Sequence, residues 1–143
     1  MKHLSLPAFL RHTIYGRQDG VSLAEFALIL PIFLLLLLGM VDMGRGFNTY
    51  IGLLNATREG AFSLANSGDD LTRMNNRIEN ELSQIGLTTG DVTVTRTPNK
   101  SAYESGDLVT VKIEYPYDLL FGDVTGFSNL TIRAENTVRI LPQ

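Results

Sequence analysis

No cysteine occurs anywhere in the chain. That absence excludes disulfides, thiolate zinc sites and cysteine nucleophiles together, and leaves the redox compartment open. Histidine is nearly as scarce: His3 and His12 both lie close to the N-terminus. Removal of that N-terminal stretch would leave neither residue type, and few enzymes work near neutral pH without either, so catalysis is not expected. Clustered positive charge is missing too. The formal net charge is −3 and no run of Lys or Arg appears, which argues against the basic footprint of a nucleic-acid binder. The chain lacks a Gly-x-x-x-x-Gly-Lys phosphate loop, a His-Glu-x-x-His pair and a Gly-x-Ser-x-Gly elbow. Asp69-Asp70, Glu79 with Glu81, and Glu104 with Asp107 are acidic groupings, but none has the spacing of a calcium-binding helix–loop–helix. Asp69-Asp70 reads instead as helix capping. No cofactor and no metal is expected. One enzymatic rival remains, a carboxylate-only envelope enzyme, whose mark would be a cleft with two converging acids of raised pKa.

What the chain has is a long apolar run. Its 143 residues suit one modest domain plus an anchor. Residues 21–41 form a near-continuous apolar block, which as a helix is about 31 Å long, enough to cross a hydrocarbon core of about 30 Å. A secretory signal is shorter and ends in small residues. Here the far side reads Met40-Val41-Asp42-Met43-Gly44-Arg45, so the segment is expected to remain as an anchor in membrane lipid. Lys2, Arg11 and Arg17 precede it against Asp19 alone. Basic flanks stay in the cytoplasm, which predicts a single pass with the N-terminus inside and residues from about 45 onward outside. Pro31 removes one hydrogen bond in mid-helix and is a candidate kink. Glu25 puts an acid inside the block, at a cost of up to about 3 kcal/mol at the bilayer centre and less near the interface. It either snorkels to the headgroups or meets a cation.

Gly20 directly precedes the block and Glu25 is the fifth residue after it. The string Gly20-Val-Ser-Leu-Ala-Glu-Phe26, behind a short basic leader, resembles the prepilin-peptidase site of type IV pilins. That resemblance implies cleavage between Gly20 and Val21. The cut would free a cationic amine on Val21, for which Glu25 of a neighbouring subunit is a suitable partner. The mature chain would then contain neither Cys nor His.

Beyond the block, residues 42–66 have few helix breakers apart from glycine. Gly44, Asn48, Gly52, Ala56 and Gly60 recur every four residues, so small side chains line one helical stripe that permits close approach. It faces either the chain's own sheet, the preferred reading, or another subunit. Three strings then become specific: Glu25-Phe-Ala-Leu-Ile-Leu-Pro-Ile-Phe33 with its Pro31, Gly39-Met-Val-Asp-Met-Gly-Arg45 with its Asp42, and Asn55-Ala-Thr-Arg-Glu-Gly-Ala61 with Arg58 and Glu59. Together they resemble the TadE-like proteins over roughly residues 20–65, departing at Phe62-Ser63, where a basic or aromatic pair is expected. The resemblance implies a minor pilin-like component of a tight-adherence (Flp, type IVc) pilus machine. Its implied partners are prepilin peptidase, other pilins or pseudopilins and the inner-membrane platform. The alternative is a signal-anchored binding module outside the membrane that is never processed. Arg58 and Glu59, being adjacent, point to different sides of the helix and are expected to reach the globular part or another subunit. Asp42 and Arg45 have the spacing of an ion pair, and either pair or remain two separate interfacial charges.

Residues 67–143 are predicted to form the headgroup. Ser67-Gly-Asp-Asp70 should end the long helix and begin another, whose stripe of Leu71, Met74, Ile78, Leu82 and Ile85 closes at Gly86. Three alternating segments follow: Val92 and Val94; Val109, Val111, Ile113 and Tyr115; and Leu130, Ile132, Ala134, Val138 and Ile140, interrupted by Asn136. Period two with one wet face predicts a small antiparallel sheet packed on helices. The expected organisation is a leader over 1–20, a transmembrane helix over 21–41, a helical stalk over 42–66 and an extracytoplasmic α+β headgroup over 67–143. The apolar cluster Leu119-Leu-Phe121, in the second connection, should pack under the sheet or else touch a partner or the membrane surface.

Overall fold

The computed structural model describes residues 18–67, 70–122, 126 and 130–142. Helix α1 runs Gln18–Ser67 with Pro31 inside it. The ring lacks one amide proton, yet no break in the helix accompanies it. At its C-terminal end, side chains turn back onto carbonyls one turn earlier: Asn66 donates to Phe62 O and Ser67 to Ser63 O, both at 2.8 Å. The chain divides into two compact units, Met1–Leu38 and Gly39–Gln143. In the first, the described apolar side chains from Val21 to Leu38 are all exposed. One helix among the described residues is long and apolar enough to cross a membrane. Its most apolar stretch has a mean hydropathy of 2.6, and none of that stretch is buried in the protein.

The second unit is α+β. Helix α2 spans Leu71–Gln84. Asp70 caps it by accepting from Arg73 N at 2.8 Å, as the sequence leads one to expect of a short acid before an apolar-periodic run. At the other end Gly86, with φ of +75°, ends the helix in a left-handed turn. Leu87 N donates to Leu82 O and Gly86 N to Ser83 O, the paired bonds of a Schellman motif. Residues 68–69 lie outside the described set, so of the predicted Asp69-Asp70 cap only Asp70 is placed.

Strands β1 (Thr93–Thr97), β2 (Leu108–Tyr117) and β3 (Leu130–Arg139) form an antiparallel sheet in the order β1-β2-β3. Thr93 stands opposite Glu114, and Leu108 opposite Arg139. One face is apolar. Val109, Val111 and Ile113 are fully buried with Ile132 and Ala134, in one cluster with Met74, Ile78 and Leu82 of α2 and Leu53, Ala56, Ala61 and Leu64 of α1. Each buried Val, Leu, Ile or Met among them contributes about 1.5–3 kcal/mol through burial, and each Ala about 1 kcal/mol or less. The other face is the wet one expected from the alternation, and it carries polar pairs. Arg133 meets Glu114 at 2.6 Å, Lys112 meets Glu114 at 2.9 Å, and the hydroxyls of Thr110 and Thr137 lie 2.8 Å apart. Leu130 departs from its predicted core place: it has the parity of the apolar face but is half exposed. After β3, Leu141 N donates to Ala65 O at 2.9 Å, fastening the chain's end to the last turns of α1.

Candidate functional site

The residues singled out in the sequence fall into separate places. Gly20, Val21 and Glu25 lie on the exposed apolar part of α1, and a Cβ built on Gly20 meets nothing within 4 Å. Pro31 is exposed on the same stretch.

Asp42 is different. It is only 3% exposed although it sits on a helix, and a carboxylate so placed must be matched by donors. Three reach it. Arg45 Nη1, one turn on, approaches Oδ1 at 3.2 Å. Leu120 N donates to Oδ1 at 3.1 Å and Phe121 N to Oδ2 at 3.3 Å. These two amides are consecutive in a turn closed by Gly122 N to Leu119 O at 3.1 Å, so both carboxylate oxygens are used on one short loop. Tyr117 completes the arrangement. Its hydroxyl donates to Asp42 O at 3.2 Å, and the Arg45 guanidinium lies 5.6 Å from its ring centre, within cation–π range. Burial pushes the Tyr117 phenol up from its ordinary pKa, partly opposed by the Arg45 charge. The pairing of Asp42 with Arg45 is thus one part of a larger latch that clamps the β2–β3 connection to α1. The apolar loop divides as a result. Leu119 packs against the core while Leu120 is 55% exposed. Sequence spacing allowed the ion pair without choosing it over two separate charges, and backbone amides have no residue signature, so the loop's part in it was not visible.

The small-residue stripe also divides. A Cβ on Gly52 would stand 2.6 Å from Ile85, and one on Gly60 would stand 2.7 Å from Ile78. Ala56 between them is fully buried. The close approach is therefore to the side chains of α2 and its cap, not to the sheet that the sequence reading preferred, because α2 lies against this stretch of α1. Gly44 stands apart, with nothing within 4 Å of an added Cβ. Glu59 reaches Arg77 of α2 at 4.0 Å. Arg58 is exposed and, among the described residues, makes no ion pair. Ser63, at the departure from the family pattern, is buried with its hydroxyl unpartnered among the described residues.

One acid of each acidic grouping has a protein partner: Asp70 takes Arg73 N, as described. Glu79 accepts from Thr89 N at 2.7 Å. Asp107 holds Lys100 at 2.9 Å and accepts from Glu104 N at 3.2 Å. The Lys100 hydrogen bond, foremost, holds the Asp107 carboxyl below its ordinary pKa, and Asp107 in turn raises Lys100. Among the described residues no group of three or more His, Cys, Asp or Glu side chains is placed to hold a metal ion.

A groove of about 430 Å³ adjoins the latch, lined by Met43, Phe47 and Tyr50 of α1 and by Tyr117, Leu130 and Ile132 of the sheet. The apolar lining accounts for Leu130: its side chain faces this open groove in place of the closed core. Among the described residues Asp42 is the one charged side chain lining it, and its carboxylate is already engaged by the loop amides and Arg45.

Residues 20–61 match the family of TadE-like proteins, the family that the strings from Glu25 to Ala61 resemble. Searches of curated proteins and of solved structures give no match.

Proposed function

From a TadE-like segment that begins at Gly20, we propose that the protein is a minor pilin-like subunit in assembly of a tight-adherence (Flp, type IVc) pilus, made as a precursor and cut by prepilin peptidase between Gly20 and Val21. The observation that carries this reading is the coincidence of two boundaries. The family match starts at residue 20, the glycine that precedes the apolar block and stands five residues before Glu25. On this reading the protein's role is to be processed once and then packed, not to catalyse. The apolar part of α1 is a single-pass anchor in the bacterial inner membrane, with the N-terminus inside and the second unit outside. Exposed apolar side chains along Val21–Leu38 support lipid and other pilin helices as its neighbours. After cleavage the Val21 amine and the Glu25 carboxylate of adjacent subunits pair in the low-dielectric interior of the assembly, where such a charge needs a partner. Leader over 1–20, anchor over 21–41, stalk over 42–66 and headgroup over 67–143 are the working divisions.

N-terminal sequencing of the protein from its native membrane is the test. It should begin at Val21, and a start at Met1 would leave only an unprocessed, membrane-tethered module. Gly20→Ala should accumulate as the longer precursor on a gel. Glu25→Ala should still be cut yet fail to support surface pili; normal piliation in that variant removes the role given to Glu25.

A further inference from the structure

The two outer strands of the sheet are finished differently. Ile140 shows which way β3 is turned. Its N donates to Asp107 O and its O accepts from Gly106 N, both at 2.9 Å, so both of its backbone groups point to the β2 side. Backbone direction alternates along an antiparallel strand. Residues of the same parity as Ile140 therefore bond to β2, while Thr131, Arg133, Glu135, Thr137 and Arg139 turn N–H and C=O to the outer edge. Leu141 is next in that outward set, and its N is taken by Ala65 O. Among the described residues no strand lies along this edge, and all five residues are exposed. Carried across β2, the same alternation leaves only Val94 and Arg96 of β1 facing outward, and the position that follows them is Pro98, which has no N–H. A short edge stopped by proline is protected against further pairing. The edge of β3 is not: its ten residues run in unbroken register with β2 and include no proline.

We propose that the outer edge of β3 docks an extended segment of a partner protein, added as an antiparallel fourth strand. Two features describe that segment. On the wet face Arg133 is held by Glu114 and Thr137 by Thr110, but Glu135 and Arg139 are exposed and make no ion pair among the described residues. The segment therefore carries an acid against Arg139 and, four residues further along its own chain, a base against Glu135. On the other face Leu130 is half exposed and Val138 only partly buried, which calls for apolar residues at the alternate positions. Main-chain bonds supply the affinity and this alternation the selectivity. A second copy is the poorer occupant. Its β3 offers the matching charges only when antiparallel, and α1 runs beside β3 in the same direction: Asp42 meets Tyr117, which stands opposite Leu130 at the start of β3, and Ala65 meets Leu141 just past its end. Copies paired in this way would have their α1 helices running in opposite directions beside the sheet. On the membrane reading of α1, on which this choice of occupant rests, a shared bilayer disfavours that pair.

Hydrogen exchange of the full chain in detergent micelles, read amide by amide, is the test. Without a partner the amides of Glu135, Thr137 and Arg139 should exchange fast, and those of Ala134, Asn136 and Val138 slowly. The probe is the end-blocked peptide Val-Glu-Val-Thr-Val-Lys-Val, which sets its Glu against Arg139 and its Lys against Glu135. In excess it should slow the three outward amides about tenfold or more and leave the inward ones as they were. The peptide with Glu and Lys exchanged should do less. Thr137→Pro removes one outward N–H without touching the β2 ladder, so the inward amides should stay slow while the peptide's effect is lost. Should that variant fail to fold, Glu135→Lys replaces it and should shift the preference to a peptide with Glu at both charged places. Outward amides already slow in the free chain, or unmoved by the peptide, overturn the proposal, as does an equal response to both peptides. Slowing that needs no peptide and grows with protein concentration assigns the edge to a second copy and overturns it too. A mature chain that begins at Met1 removes the pilus reading and leaves these outcomes unchanged.

Discussion

Asp42 turns one side chain into the anchor of a loop far away in sequence. Its two oxygens accept from Leu120 N and Phe121 N, and a buried amide left without an acceptor costs about 1–3 kcal/mol. Asp42→Ala strands both amides and frees Arg45, so it should destabilise the headgroup by about 2–4 kcal/mol. Chemical denaturation measures the loss, and hydrogen exchange should show the amides of Leu120 and Phe121 released ahead of the core. Asp42→Asn keeps one acceptor but turns an NH2 toward an amide N–H, so it should fall between the two. The i,i+3 spacing of Asp42 and Arg45 was legible in the sequence. Its burial was not, because nothing near position 42 in the chain says that a loop 78 residues on will supply the donors.

Local rules were enough for most of the elements. Helix α2 follows from its apolar period, its Asp70 cap and the left-handed Gly86, and each strand from alternation. Pairings that require knowing which surface lies opposite were harder, and the glycine stripe illustrates this. Its small residues signalled close approach, but the choice between sheet and helix depended on where α2 docks. Physical contrast within the stripe gives a sharp test. Gly52→Ala and Gly60→Ala drive a methyl into Ile85 and Ile78. Both are β-branched and stiff, so these variants should lose about 1–3 kcal/mol. Gly44→Ala meets open space and should gain up to about 1 kcal/mol of helix propensity. Thermal unfolding of the three variants should give opposite signs; a uniform loss would mean that Gly44 is also packed.

Across the second unit, charged groups shift in one direction at each end of the pH scale. Hydrogen bonds from Thr88 to Asp91, Lys100 to Asp107 and Lys112 to Glu114 hold these carboxyls below their ordinary pKa. Each folded-state value is depressed, so the stability they add is present above the unfolded carboxylate range and is lost as pH falls through the folded values, below about pH 4. Lys100 and Tyr117 are raised. Their contribution is present below their unfolded values, near pH 10, and is lost as pH rises through the folded ones. Melting temperature should therefore be level between these limits and fall on both sides. The acid arm should soften in salt, because these carboxyls are solvent-screened. At this scale the sequence disclosed the long apolar helix and the α+β second unit through hydropathy and period, while the groove stayed hidden because its walls come from α1 and the sheet. The latch also has a consequence for biosynthesis. Asp42 leaves the ribosome well before its partners Leu120 and Phe121, and Ala65 well before Leu141 that clasps it. The latch cannot close before residue 121 has been made, so a nascent chain truncated before residue 120 exposes its apolar stripe to chaperones and proteases for as long as it lasts.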